Sequence, residues 1–133
     1  EVISREEFSI TDKPLMSEKW TACIDTVGGD ILSSILTQIK YDGIVASTGL
    51  AKSPKLSTTV FPFILRNITL AGVDCVYAPY AKRVNAWQFL EKYLDINFLE
   101  IIQTTKSLQD LPSLSKDIIN GNLKGRTVID VNN

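Results

Sequence analysis

The chain has no histidine. No Ser-His-Asp or Cys-His nucleophilic site can be assembled from these residues, because the general base is missing. The usual His-containing zinc sites fall with it, and the two cysteines, Cys23 and Cys75, cannot alone close a four-ligand site. Two cysteines are also too few for a disulfide framework, which fits a reducing, cytoplasmic compartment. Both lie in apolar, strand-like runs and read as small buried residues. The formal charge is −1, with no run of Lys or Arg and no acidic block, so nothing points to nucleic acid. No apolar run reaches the ~18 residues of a membrane span. Glu6 and Glu7 come early and no apolar h-region follows, unlike a signal peptide. There is no Gly-x-Gly-x-x-Gly fingerprint, internal repeat or low-complexity tract.

What is present is ordinary for a soluble domain with a core: 133 residues, 44% apolar and 22% charged. The most informative stretches are Ala22-Cys-Ile-Asp-Thr-Val-Gly-Gly29 and Gly43-Ile-Val-Ala-Ser-Thr-Gly-Leu50. Each is a short apolar run that ends in Thr and Gly, the pattern of a buried parallel strand. A chain that opens this abruptly at Glu1, with no strand of its own before them, reads as the back half of something larger.

The pattern predicts a connecting loop over 1–19, with a helical turn near Arg5–Phe8, then a strand over Trp20–Val27. Ile31, Leu32, Ile35, Leu36 and Ile39 share one helical face, so a helix is expected to Lys40, with Asp30 at its positive end. Asp42-Gly43 then turns into a strand over Ile44–Ser47. A polar loop over Ala51–Thr59 precedes a short helix at Val60–Arg66, with Pro62 tolerated in its first turn. Ile68–Asp74 is a third strand, Cys75–Pro79 a loop, and Ala81–Leu94 a long helix whose buried side is Val84, Trp87, Phe89, Leu90 and Leu94. Phe98–Thr104 reads as a strand, Leu108–Asn120 as a helix ended by Gly121, and Gly125–Val131 as a closing strand. The order β-α-β-α-β-α predicts a parallel sheet with right-handed crossovers, and the part after Leu94 a different sheet.

If the first three strands are parallel, Asp25–Gly29, Ser47–Leu50 and Asp74–Pro79 share one rim, where such sheets bind ligands. The glycines there either admit a ligand to the backbone or only make tight turns. Asp25 is either a general base or a strand-end carboxylate satisfied by backbone N–H groups. Arg66 and Asn67 either cap their helix or touch phosphate. Lys52 and Lys55 either lie in a solvated loop or bind an anion. Arg126 offers a surface ion pair or a phosphate contact.

The residues Asp25-Thr-Val-Gly-Gly29, Gly49-Leu50, Thr58-Thr59-Val60, Pro62-Phe-Ile-Leu-Arg-Asn67, Leu70-Ala-Gly-Val-Asp74, Ala86-Trp87 and Gly125-Arg-Thr127 resemble the C-terminal part of zinc-free medium-chain dehydrogenases/reductases. The subgroup is the quinone oxidoreductase-like one that includes the acrylyl-CoA reductases. The resemblance implies an α/β fold, the second half of a Rossmann doubly wound parallel sheet. Residues 1–94 would belong to the nucleotide-binding domain, and 95–133 to a tail returning to a GroES-like catalytic domain. It implies NADPH as cofactor and hydride transfer to an activated alkene or a quinone, without a metal. Thr48, Gly49 and Leu50 would line the nicotinamide and its ribose, with Val27 beside them, and Phe61 would cover the cofactor. Val73, Asp74 and Cys75 would offer backbone groups to the carboxamide; Cys75 stands where relatives often carry Ser. Arg126 would approach from the tail. The substrate pocket, the catalytic residues and the pyrophosphate cradle would lie outside this chain. An exposed edge at Ile68–Val73 needs a partner, and the resemblance implies a homodimer joined there. The alternative is a non-catalytic α/β module that holds a ligand by the same rim or dimerises through that edge. On the first reading Gly49→Val crowds the rim and leaves the fold intact.

Overall fold

The computed structural model describes residues 2–8 and 13–133. Two compact units divide the chain, Glu1–Ala78 and Pro79–Asn133. In the first, strands β1 (Trp20–Asp25), β2 (Ile39–Ser47) and β3 (Thr69–Gly72) form a parallel sheet in the order β1-β2-β3. Helix α1 (Gly29–Leu36) joins β1 to β2, and α2 (Phe61–Arg66) joins β2 to β3. The expected helical turn Arg5–Phe8 is a 3-10 turn.

The core forms where both helices meet one face of this sheet. Leu32 and Leu36 of α1 pack with Ile39, Val45 and Ile68, and Phe63 of α2 packs against them. Full burial of a Leu, Ile or Val contributes about 1.5–3 kcal/mol, and Leu36, Ile39 and Val45 are wholly buried. Cys23, Val45 and Leu70 lie abreast on this face. The next row, Ile24–Ala46–Ala71, points the other way. Ile24 there is 78% exposed. The strands, expected to be buried throughout, are thus covered on one face, because both crossovers return over the same side.

Helix α1 stops four residues before the expected Lys40. Ile39, one of the residues that gave the helical period, is instead the first residue of β2 and pairs with Trp20. Helix and strand here plug the same core, so a periodicity count cannot separate them. Side chains mark the stop: Thr37 Oγ1 and Gln38 Nε2 donate to the Ser34 carbonyl, at 2.7 and 3.3 Å. Asp42-Gly43, expected to precede the second strand, is an irregularity inside it. The register shifts between the pairs Trp20–Ile39 and Ala22–Ile44, and Asp42 takes φ 59°. Its carboxylate accepts from Asn67 Nδ2 at 2.6 Å, and Asn67 is itself left-handed where α2 ends. The paired part of the third strand is shorter than Ile68–Asp74, but the buried Ile68 leads into it.

The second unit holds α3 (Tyr80–Tyr93), α4 (Ile96–Ile102), β4 (Gln103–Ser107), a 3-10 turn (Leu108–Asp110), α5 (Leu111–Ile119) and β5 (Arg126–Asp130). Strands β4 and β5 pair in parallel as a sheet of their own. Phe98–Thr104, expected as a strand, is helical as far as Ile102. Asp95 caps it, accepting from the Asn97 N–H at 3.0 Å, and this local start signal outweighs the β-branched residues that follow. Gly121 takes φ 72° just after α5, as a C′ residue does.

No described residue from 79 onward is buried. The expected buried side of α3 is therefore corrected: Trp87 is 67% exposed, Phe89, Leu90 and Leu94 are exposed too, and Val84 is half-buried. The five residues do not form one stripe along the helix, and a two-stranded sheet with short helices encloses no core for them. Cys75 is corrected as well. Cys23 is half-buried in β1, but Cys75 is exposed in the turn beyond β3, and neither is in a disulfide.

Candidate functional site

Parallel pairing fixes the geometry of the rim. Asp25 pairs with Ser47, and Ser47 with Gly72, so the three strands end level with one another. The turns Thr26–Gly29, Thr48–Leu50 and Val73–Cys75 all leave from this line. Helix α2 runs back from it. Its last residue, Arg66, donates to the Thr37 and Ile39 carbonyls at the opposite end of β2. Phe61, at the first position of α2, lies about 7.5 Å along the helix axis from Arg66, at ~1.5 Å of rise per residue.

The rim is built by Asp25. This residue is 3% exposed, and both carboxylate oxygens face inward. Oδ1 accepts from the N–H groups of Val27 (3.1 Å) and Gly28 (3.0 Å), and Oδ2 from the Ser47 hydroxyl (3.1 Å). It is the backbone-satisfied strand-end carboxylate, one of the two readings open in the sequence. It also acts on Cys23: burial first, then the Asp25 charge, raises that thiol above its ordinary range and keeps it protonated.

The loop after β2 is laced onto the turn after β1. Thr48 N–H donates to the Asp25 carbonyl (2.8 Å), Ala51 N–H to Thr26 (3.2 Å) and Lys52 N–H to Val27 (2.9 Å). Two glycines make this approach possible. A Cβ on Gly49 would lie 2.5 Å from the Thr26 carbonyl oxygen. Gly28 has φ +69°, and a Cβ there would lie 2.4 Å from the Ser53 carbonyl oxygen. The chain's own backbone fills the space that these glycines leave. Gly49→Val therefore strains the fold as well as the rim, against the expectation that it would leave the fold intact.

The sequence-predicted residues are distributed as follows. Thr48 and Leu50 are exposed, and Gly49 and Val27 half-buried. Phe61 is 42% exposed and Val73 47%. The Val73 N–H is committed to the Ser47 carbonyl at 2.9 Å. Asp74 forms an Asx turn, its Oδ1 accepting from Val76 N–H (2.8 Å) and Tyr77 N–H (3.0 Å). Those bonds, Tyr77's first, hold its carboxyl below the ordinary range. Cys75 is exposed. All eight lie in the first unit. Arg126 lies in the second, exposed, where it pairs with Gln103.

Three cations read as possible anion ligands have other uses or surroundings. Lys52 is paired with Asp30 at 2.7 Å beside a shallow cavity of about 320 Å³, lined among others by Ser33, Lys55 and Ser57. The hydrogen bond from Lys52 is the main reason the Asp30 carboxyl lies below its ordinary range. Arg66 touches carbonyls and a carboxylate, not a phosphate site, and does not cap its own helix. Sequence reasoning missed both this clamp and the Asp42–Asn67 pair, because their partners lie 25 to 50 residues apart or are backbone atoms that every residue carries. No helix among the described residues is long and apolar enough to cross a membrane.

No family model matches the chain. It is 44% identical over 133 residues to an acrylyl-CoA reductase of Ruegeria pomeroyi, a match that covers 99% of this chain and 40% of that protein. It is 38% identical over 131 residues to a candidate quinone oxidoreductase of Bacillus subtilis, covering 97% of this chain and 40% of that protein. Among solved structures, the yhdH oxidoreductase of Salmonella enterica in complex with NADP superposes with a TM-score of 0.91 and 43% identity, over 97% of this chain and 40% of that one. The chain thus spans about 40% of the length of the curated relatives it matches. The likeness read from the motifs runs along essentially the whole chain, and its α/β fold with parallel sheets is that of these oxidoreductases over the matched part.

Proposed function

We propose that this chain is the C-terminal part of an NADPH-dependent, zinc-free medium-chain reductase, one that transfers hydride to an activated alkene of the acrylyl-CoA type or to a quinone. The observation that carries the reading is the 44% identity to an acrylyl-CoA reductase across 99% of the chain.

The rim suits the nicotinamide end of such a cofactor. The one wholly buried carboxylate there, Asp25, has its oxygens engaged with inward donors. Gly72 leaves open space beside the strand ends. When bound, the reduced nicotinamide supplies the hydride, and the protein supplies position and exclusion of water. Thr48, Gly49 and Leu50, with Val27 beside them, form the floor for the nicotinamide and ribose. Phe61 covers it with apolar surface. Val73 offers its carbonyl to the carboxamide, since its N–H is engaged, and Asp74 and Cys75 extend that edge. Arg126, on the second unit, is the tail residue that the family resemblance assigns to the cofactor. The Gly28 and Gly49 turns are filled by backbone and give no pyrophosphate cradle.

In this reading residues 1–94 belong to the nucleotide-binding domain and 95–133 to the catalytic domain, in a cytoplasmic homodimer. Strand β3 is an edge of its sheet, with Thr69 and Gly72 exposed, which supports pairing with a second copy. Sedimentation at micromolar concentration should give a dimer of the full-length protein; a monomer would remove this part of the reading. The function is tested by titrating the full-length protein with NADPH and following cofactor fluorescence, then adding acrylyl-CoA or a quinone. Saturable binding and oxidation by one acceptor class are expected. No binding at millimolar NADPH would end the enzyme reading. This chain alone should bind NADPH weakly or not at all.

A further inference from the structure

Arg66 is tied to four groups of the first unit, and none of them belongs to its own helix. Its Nη1 donates to the Thr37 carbonyl at 2.7 Å and to the Ile39 carbonyl at 3.3 Å. Its Nη2 donates to the Met16 carbonyl, and its Nε lies 3.3 Å from Glu18 Oε1. The side chain is 13% exposed. One guanidinium therefore joins three segments: the connector at 16–18, the link from α1 into β2, and α2. The connector is also pinned directly, Met16 N–H donating to the Thr37 carbonyl at 2.9 Å. Thr37 is the C-cap of α1, where unpaired carbonyls and the negative end of the helix favour a cation. Only a planar group with five donors in a fixed fork can serve carbonyls and a carboxylate in different directions at once, and a lysine cannot.

The clamp has few competitors. Helix α2 has six residues and one fully buried side chain, Pro62. Just after Arg66 the chain turns through left-handed Asn67 and the buried Ile68 into β3. Two of the four first-unit segments that bear the proposed cofactor contacts thus hang from this one point: Phe61 at the far end of α2, and Val73–Cys75 at the far end of β3.

We infer that Arg66 is a positioning residue for the cofactor site, acting through α2 to hold Phe61 over the nicotinamide. The inference rests on the proposed NADPH site. It also gives a physical role to the Pro62-Phe-Ile-Leu-Arg-Asn67 run, the most specific motif in the chain.

The test is a double-mutant cycle in the full-length protein: wild type, Arg66→Lys, Phe61→Ala and the double variant. Each is titrated with NADPH at a temperature well below its own unfolding midpoint. Arg66→Lys should weaken NADPH binding roughly tenfold, the size of one charge-assisted hydrogen bond lost from the frame. In the Phe61→Ala background the same change should add little, because its effect passes through that ring. Equal losses in both backgrounds would overturn the inference. So would a variant that melts earlier but binds NADPH like wild type, which is a structural role only. If Arg66→Lys fails to fold, Glu18→Gln takes its place: it loosens the guanidinium while leaving the three carbonyls served, and the same dependence on Phe61 is expected at smaller size. A wild-type protein that does not bind NADPH at all would instead remove the underlying site assignment, and the positioning role with it.

Discussion

The two units are made of similar material and fold under different constraints. In Glu1–Ala78, three strands and two helices enclose Leu32, Leu36, Ile39, Val45 and Ile68. In Pro79–Asn133, three helices and two strands enclose nothing, and Trp87, Phe89, Ile96, Phe98 and Ile101 are each more than 60% exposed. Local signals suffice for the elements of the second unit: the Asp95 cap, the Ser107–Asp110 capping box, and Gly121 after α5. They do not supply burial, which is the dominant favourable term. A hydrogen-bonded helix and a stable one are different achievements, and the chain displays both.

The sharpest test of that contrast is a core deletion. Leu36→Ala should destabilise the first unit by about 2–5 kcal/mol, read from chemical denaturation of the full-length protein. A cost near zero would mean that the cluster is not the core. Next in size is Gly49→Val. Overpacking against the Thr26 backbone should cost about 1–3 kcal/mol, with a lowered unfolding midpoint as well as weaker NADPH binding. Loss of binding with an unchanged midpoint would restore the simpler view of Gly49 as a rim residue only.

The Asp30–Lys52 pair should matter less, since it is exposed and screened by salt. The Asp30 pKa is lowered from 3.8, so its contribution is present above that ordinary value and fades as pH falls through the lower folded-state value. An NMR titration should find the Asp30 midpoint below 3.8, moving back up in Lys52→Gln. An unmoved midpoint would discard the pair. The smallest effect belongs to the second unit. Trp87→Ala in this chain by itself should change stability by no more than about 0.5 kcal/mol. A loss as large as that of Leu36→Ala would show α3 to be packed, and the contrast between the units would collapse.

Much of the first unit was legible because its strands are short apolar runs with glycine at their ends. A parallel reading brought Asp25 and Ser47 to one rim, but it set the third strand's end at Asp74, and only the pairing of Ser47 with Gly72 fixed the register there. The end of α1 was not. Ile39 satisfies a helical period and a strand equally, and only its pairing with Trp20 decides. In the second unit, Ile96–Ile102 carries strand-favouring residues, and the Asp95 cap outweighed them.

The sequence by itself determined the absence of histidine chemistry, the β-α-β order, the carboxyl-end rim and the resemblance to reductases. Each rests on residue identity or on spacing within a few positions. Tertiary structure alone decided three further points: that Asp25 faces inward, that Gly28 and Gly49 admit the chain's own loop, and that Arg66 binds three segments. Those outcomes depend on which backbone atoms come within about 3 Å of one another. Carbonyls and N–H groups are common to every residue, so sequence carries no mark of which of them will meet.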